Sequence, residues 1–268
     1  MRYRKVSLAT LALLFVMIGG KFSYAQHGTG DNPYENQKRF VADAKKYALE
    51  VGAPIKVGDS FDGVCSITLT ATMVNGQRVS GSGTCFLAEK NLVVSALHLS
   101  ESFPYKSVLL SNDLRITIII TGQLAEGRIP NESYYSFTDD LLAVRLGKPV
   151  EGTEPLTVAN QDPEIGKKIY FLGYDDFGMM GLERPGVLET RFVGDIYVFM
   201  GYAMTPLGML PINTRMLKMT PVLEFGFSGG AGFNENGEVV GIALMQKTSF
   251  SYAVTWQSIK ALLNKIQY

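Results

Sequence analysis

Gly226-Phe-Ser-Gly-Gly-Ala-Gly-Phe233, continuing into Asn234-Glu-Asn-Gly-Glu-Val-Val-Gly-Ile242, decides the fold. A serine flanked by glycines is what a nucleophile needs. Glycine permits a sharp backbone turn and leaves room for a carbonyl to approach. It also lets main-chain N–H groups converge on one point where an oxyanion can sit. Taken alone, a serine in such a turn is usually structural, so its surroundings matter. The residues after Ser228 read as strand, turn and strand, with no helix behind the serine. The chain has two histidines, His27 and His98, and both precede it.

Gly226 to Gly230 formally matches G-x-S-x-G, the nucleophile elbow of α/β-hydrolases. That fold needs a helix after the serine and a histidine later in the chain. Neither is present, so that triad is excluded by counting. The order His…Asp…Ser remains open. His98 ends the apolar run Asn91-Leu-Val-Val-Ser-Ala-Leu-His98, and Asp140 opens Asp140-Leu-Leu-Ala-Val-Arg-Leu146.

The rest of the chain supplies an all-β frame. From Ile55 onward, short apolar or alternating runs are separated by Gly, Asn, Asp and Pro. They include residues 66–74, 82–87, 91–95, 108–110, 116–121, 141–146, 168–172, 186–192, 196–202, 216–220, 230–233, 239–245 and 251–254. Many short strands with turns between them predict a barrel or sandwich. Residues 147–155 are rich in Gly, Pro and Glu and divide the β region into two parts of similar size. Helical spacing marks residues 36–51, through Phe40, Ala44, Tyr47 and Ala48, and residues 256–266, through Ile259, Leu262, Leu263 and Ile266. The stretch 26–33 is polar and glycine-rich, and reads as a linker.

The N-terminus reads as a secretory leader, residues 1–25. Arg2, Arg4 and Lys5 are followed by a thirteen-residue apolar run over 6–18, with Ser23 and Ala25 before the cleavage point at Gln26. That run is short for a membrane span, and no stable insertion is expected once it is cleaved. The alternative is an uncleaved anchor. The leader holds four of the 25 basic residues and none of the 25 acidic ones, leaving the mature chain at −4. That balance argues against a nucleic-acid partner. Cys65 and Cys85 flank a hairpin, residues 64–74 and 77–87, around Asn75-Gly76, a pair suited to a two-residue turn. Pairing about that turn sets the cysteines opposite or nearly opposite each other. A disulfide is expected in an exported chain, two buried thiols being the alternative. Two cysteines without partner histidines do not suggest zinc.

The string Ser80-Gly-Ser-Gly-Thr-Cys-Phe-Leu87, followed by Val93-Val-Ser-Ala-Leu-His98, resembles the histidine region of trypsin-like serine proteases. Asp140-Leu-Leu-Ala-Val-Arg-Leu146 is similar to their aspartate strand. Gly226-Phe-Ser-Gly-Gly-Ala231 with Glu238-Val-Val-Gly-Ile242 resembles their serine turn and the strand behind it. Gly166-Lys-Lys-Ile-Tyr-Phe-Leu-Gly-Tyr174 is similar to the strand opening the second barrel in the bacterial high-temperature-requirement branch. Three strings in family order, with His98 and Asp140 separated by 42 residues and Asp140 and Ser228 by 88, carry more than any one of them. The resemblance covers roughly residues 57–263 and implies two six-stranded antiparallel barrels. These would be barrel 1 at about 57–148 and barrel 2 at about 155–255, within a domain spanning 55–268, with the site between them. Residues 26–54 would be linker and N-terminal helix. With few residues beyond the last helix, no peptide-binding PDZ domain is expected downstream.

What the resemblance implies for the site is a triad of His98, Asp140 and Ser228, with an oxyanion hole from the amides of Gly226 and Ser228. Asp139 is the alternative to Asp140. Val222, Leu244, Met245 and Gln246 would border the first specificity pocket. No acidic residue is evident there for a Lys/Arg preference, and no histidine for a glutamyl one, so a small or medium aliphatic side chain is expected. Three residues depart from the family pattern: Phe227 where Asp or Asn is usual, Ala231 where Pro is usual, and Leu97 where a small residue is common. Phe227 cannot pair with a freed N-terminus, so no zymogen switch of that kind is expected. The implied activity is a secreted or periplasmic serine endopeptidase acting on polypeptides, with no cofactor and no metal. The alternative is a pseudoprotease that binds without cutting. The sequence does not specify an oligomeric state.

Overall fold

The computed structural model describes residues 33–72, 76, 78–100, 114–128, 135–136, 138–173, 187–205, 208–223, 226–247 and 249–266. The leader, the strand expected at 108–110, Asn75 of the hairpin turn and residues 224–225, between Val222 and the serine turn, lie outside them. Among the described residues no helix is long and apolar enough to cross a membrane.

Helix α1 (Pro33–Glu50) buries Gln37, Val41, Ala44 and Ala48, spaced four, three and four residues apart, which is one face of a helix. A second helix, α2 (Ile55–Ser60), and a 3-10 turn (Phe61–Gly63) follow, where the sequence suggests only short strand-like runs. No side chain caps α2, and it contains Gly58, so local propensity does little to form it. Tertiary contacts hold it instead. Val57 and Phe61 are fully buried, the Phe61 ring lies 5.8 Å from that of Phe233, and the Ser60 hydroxyl donates to the Gly237 carbonyl at 2.9 Å.

The first barrel comprises β1 (Val64–Thr72), β2 (Arg78–Glu89), β3 (Leu92–Ala96), β4 (Arg115–Ile120), β5 (Gln123–Arg128), β6 (Tyr135–Ser136) and β7 (Leu141–Leu146). Six strands, in the order β3-β2-β1-β4-β5-β7, close through a β3–β7 pairing, and the short β6 adds to the outside of β7. Alternation sets the inward face of β1. Ile67, Leu69 and Ala71 are buried, while Ser66, Thr68 and Thr70 between them are half-buried. β3 is buried along its whole length because it packs on both faces. Cys65 and Cys85 are register partners between β1 and β2 and form a disulfide, Cα atoms 4.9 Å apart. Closing that loop contributes about 3 kcal/mol on the chain-entropy model.

The second barrel comprises β8 (Lys168–Leu172), β9 (Val187–Thr205), β10 (Gly208–Thr220), β11 (Ala231–Phe233), β12 (Val239–Lys247) and β13 (Phe250–Thr255), closed in the order β10-β13-β12-β11-β8-β9. Helix α3 (Trp256–Ile266) is the last described element, burying Ile259, Leu262 and Ile266 as its periodicity predicts. β9 corrects the sequence reading, which expects two strands at 186–192 and 196–202. Gly194-Asp195 reads as a break but forms an irregularity inside one long strand. Gly194 has φ 135° and the β9–β10 ladder slips between Lys218 and Met219.

The segment joining the barrels is tied to both. The Leu156 amide donates to the Leu87 carbonyl at 2.8 Å, and the Val239 amide to the Thr157 carbonyl at 2.8 Å.

Candidate active site

β3 delivers His98. Its buried run ends at Ala96, and the chain turns into a 3-10 segment, Leu97–Ser100, that carries the imidazole to the barrel rim. Asp140 stands one residue before β7, which pairs with β3 so that Leu141 faces Ala96. It holds φ 55°, the left-handed region, which aspartate tolerates better than most residues.

From there Asp140 takes hold of the histidine segment at three points. Its carbonyl accepts from the Leu97 amide at 2.9 Å, Oδ1 accepts from the His98 amide at 2.7 Å, and Oδ2 accepts from His98 Nδ1 at 2.6 Å. The Asp140 side chain is 9% exposed and that of His98 21%. An ionised carboxylate only accepts hydrogen bonds, so the ring proton belongs on Nδ1. In the neutral ring Nε2 is then left as a base. Asp139 takes a different part. Its Oδ2 accepts from the Ser136 hydroxyl at 2.8 Å and its Oδ1 from the Ser258 hydroxyl, on α3, at 3.0 Å.

The Ser228 turn comes from the second barrel and is fastened to the first. The Thr84 amide donates to the Ser228 carbonyl at 3.0 Å, and the Thr84 hydroxyl donates to the Gly226 carbonyl at 2.8 Å. The next residue, Gly229, has φ 83° and no room for a side chain. A Cβ there would stand 2.2 Å from the Thr84 carbonyl, 2.3 Å from Ser95 Oγ and 3.0 Å from the Ala96 nitrogen. The serine turn therefore abuts the end of β3, two residues before His98.

Three carbonyls of the turn are engaged. Gly226 O and Ser228 O face Thr84, and Phe227 O accepts from the Gly230 amide at 2.8 Å. The Ser228 N–H is trans to Phe227 O across a planar peptide, so it points away from Gly230. The Gly229 amide donates to the Ala243 carbonyl at 2.8 Å, and the Ala243 amide to the Gly230 carbonyl at 2.9 Å, which lays β12 along the turn. The amides of Gly226 and Ser228 donate in none of these bonds.

Phe227 is 5% exposed and packs in the second barrel's core with Ile169, Phe171, Leu217 and Val240. Gly173 makes space for its ring, since a Cβ there would lie 2.6 Å from Phe227 Cγ. Ala231 is fully buried and begins β11, and Leu97 is buried as well.

The expected pocket residues lie on β12 and in the stretch after β10. Leu244 is buried at a slip in the β12–β13 ladder, while Met245 and Gln246 are exposed. Val222 is half-buried, and its neighbour Leu223 donates its amide to Ser251 Oγ on β13. Among the described residues no group of three or more His, Cys, Asp or Glu side chains could hold a metal ion. Sequence reasoning missed Thr84, Ser95, Thr214 and Ser258. Each is an ordinary strand or helix hydroxyl, and only the pairing of elements gives it a partner.

Residues 81–242 match the model of the trypsin-like peptidase domain, more than half of the chain. The chain belongs to the trypsin-like peptidase family. Solved structures with the same fold include the Rv3671c protease of M. tuberculosis in its active form, at 19% identity and TM-score 0.56, covering 75% of this chain and 80% of that one. A serine-to-alanine mutant of Rv3671c from M. tuberculosis H37Rv, in an inactive form, matches at 18% identity and TM-score 0.56 over 80% of this chain and 92% of that one. The inactive form of the Rv3671c protease matches at 20% identity and TM-score 0.58, over 82% and 96%. Comparison with curated protein sequences returns no match. A peptidase of this family would bind polypeptide substrates; in this chain His98, Asp140 and the Ser228 turn come together where the two barrels meet.

Proposed function

We propose that this trypsin-like peptidase is an exported serine endopeptidase, with Ser228 as nucleophile, His98 as base and Asp140 as the residue that orients the base. One observation carries the reading: Asp140 holds His98 by ring Nδ1 at 2.6 Å and by main-chain amide at 2.7 Å, beside a serine turn pinned to the same barrel. A serine hydroxyl is a weak nucleophile until a base removes its proton. His98 Nε2 takes that proton as Ser228 Oγ attacks the peptide carbonyl, and Asp140 stabilises the imidazolium. The amides of Gly226 and Ser228 receive the oxyanion. His98 then protonates the leaving amine, and water, activated by the same base, hydrolyses the acyl-enzyme. Export rests on the basic and apolar leader and on the disulfide. N-terminal sequencing of the exported protein is expected to begin at Gln26.

A fluorophosphonate probe tests the chemistry. It is expected to label the wild-type protein and to leave Ser228→Ala unlabelled, with casein hydrolysis lost in the same variant. Folded wild-type protein that neither labels nor cuts casein would overturn the proposal in favour of a binding-only barrel pair.

A further inference from the structure

We infer that Thr84 is a positioning residue for the oxyanion hole, setting through its hydroxyl the angle at which the amides of Gly226 and Ser228 converge. The inference rests on the endopeptidase reading and extends it to a first-barrel residue that takes no part in the triad.

Two amides receive the oxyanion, and they are separated by the backbone torsions of Gly226 and Phe227. The Phe227 end of that link is fixed twice. Its ring is sunk in the second barrel's core, and its carbonyl is held by the Gly230 amide at 2.8 Å. The Gly226 end has no side chain to restrain it. A glycine turns about φ and ψ more freely than any other residue, and this one stands at φ 93°. Its ψ is set by where its carbonyl points.

The Thr84 hydroxyl takes that carbonyl at 2.8 Å, while the Thr84 amide takes the Ser228 carbonyl at 3.0 Å. One residue thus grips the turn on both sides of Phe227. Thr84 is itself fully buried, and its carbonyl accepts from the buried Ser95 hydroxyl at 2.6 Å. That bond ties it to β3, the strand that leads to His98. Gly230 leaves room for the threonine methyl, since a Cβ at Gly230 would stand 3.3 Å from Thr84 Cγ2. Released from the hydroxyl, the Gly226 peptide is free to rotate. A carbonyl turned toward the hole repels the oxyanion that an amide attracts. The effect falls on the transition state, where negative charge develops, and not on ground-state binding.

The test compares Thr84→Val with Thr84→Ser, read by hydrolysis of p-nitrophenyl acetate and by fluorophosphonate labelling of Ser228. Valine keeps the shape and removes the hydroxyl. Serine keeps the hydroxyl and removes the methyl. Thr84→Val is expected to lower kcat by about tenfold with KM within about twofold, the loss of one buried hydrogen bond felt in the transition state. Thr84→Ser is expected to recover most of the wild-type kcat. Thermal melts accompany both, and Thr84→Ala serves in place of the valine variant if that one does not fold. A wild-type kcat in the hydroxyl-free variant overturns the inference. So does an equal loss in Thr84→Ser, or a loss confined to KM. Wild-type protein that neither labels nor hydrolyses the ester overturns the endopeptidase reading and this inference with it.

Discussion

Phe227 is the residue at which this chain departs furthest from its family in the serine turn, and its surroundings explain what stands in place of the usual aspartate. An aspartate at this position would need a cationic partner. A phenylalanine needs a pocket, and Gly173, Ile169, Phe171 and Val240 supply one. The turn is therefore held by apolar burial, which is present as soon as the barrel folds. Truncating the ring removes the buried area and leaves a cavity between turn and barrel. Phe227→Ala is expected to lose about 3–4 kcal/mol of stability and to slow fluorophosphonate labelling at temperatures where the protein remains folded. Urea unfolding together with labelling kinetics checks it. Undiminished labelling in a destabilised variant would show that the anchor serves the fold alone.

At the scale of elements, the segment from β6 to β7 is latched to the second barrel. Asp139 accepts the hydroxyls of Ser136 and Ser258, and the Thr214 hydroxyl, on β10, donates to the Thr138 carbonyl. These bonds hold the loop from which Asp140 reaches His98, although none of them touches the imidazole. Hydrogen bonds to a charged group contribute about 1.5–3 kcal/mol each when buried, and less where water reaches them. Asp139→Ala is accordingly expected to cost about 1–2 kcal/mol in urea unfolding, and Ser258→Ala about half of that. The double variant should cost no more than Asp139→Ala alone, since both remove the same bond. Full additivity would mean that the Asp139–Ser258 bond contributes nothing.

Elements also show what was legible in the sequence. The serine turn, the aspartate strand and the histidine strand could be read because each pairs a special residue with an alternating or fully apolar run. Helix α3 was legible from its spacing. Helix α2 was not, because six residues with a glycine and no cap carry little local signal, and the helix exists through Phe61 and Ser60. β9 was read as two strands because Gly194-Asp195 has the composition of a turn, whereas a neighbouring strand can carry the same pair as an irregularity. Within the site, residue types pointed to His98, Asp140 and Ser228. Thr84 reaches Gly226 and Ser228 in the second barrel, and Asp139 reaches Ser258 on α3, across sequence distances that no local pattern encodes.

For the whole molecule, the remaining joint lies where the inter-barrel segment enters the second barrel. Asp162 accepts from Arg215 on β10 at 2.6 Å and from the indole of Trp256 at 2.8 Å, so the segment's end, a strand and α3 meet on one carboxylate. Burial alone would raise its pKa. The hydrogen bonds from Arg215, Trp256 and Gln257, with the Arg215 charge, outweigh burial and hold the carboxyl below its ordinary range. The same contacts push the Arg215 guanidinium up, through its hydrogen bonds to Asp162 and Asp195. A carboxyl depressed on folding stabilises the native state above its unfolded value, about 3.9, and that contribution is lost as pH falls through the folded value. The group is partly exposed and screened, which limits its worth to about 1 kcal/mol. Asp162→Asn should therefore be less stable than wild type at pH 7, and the gap should close as pH falls below about 4. Urea unfolding of both proteins at pH 7 and pH 3 measures this. A gap of the same size at both values would mean that the joint depends on the shape of the side chain and not on its charge.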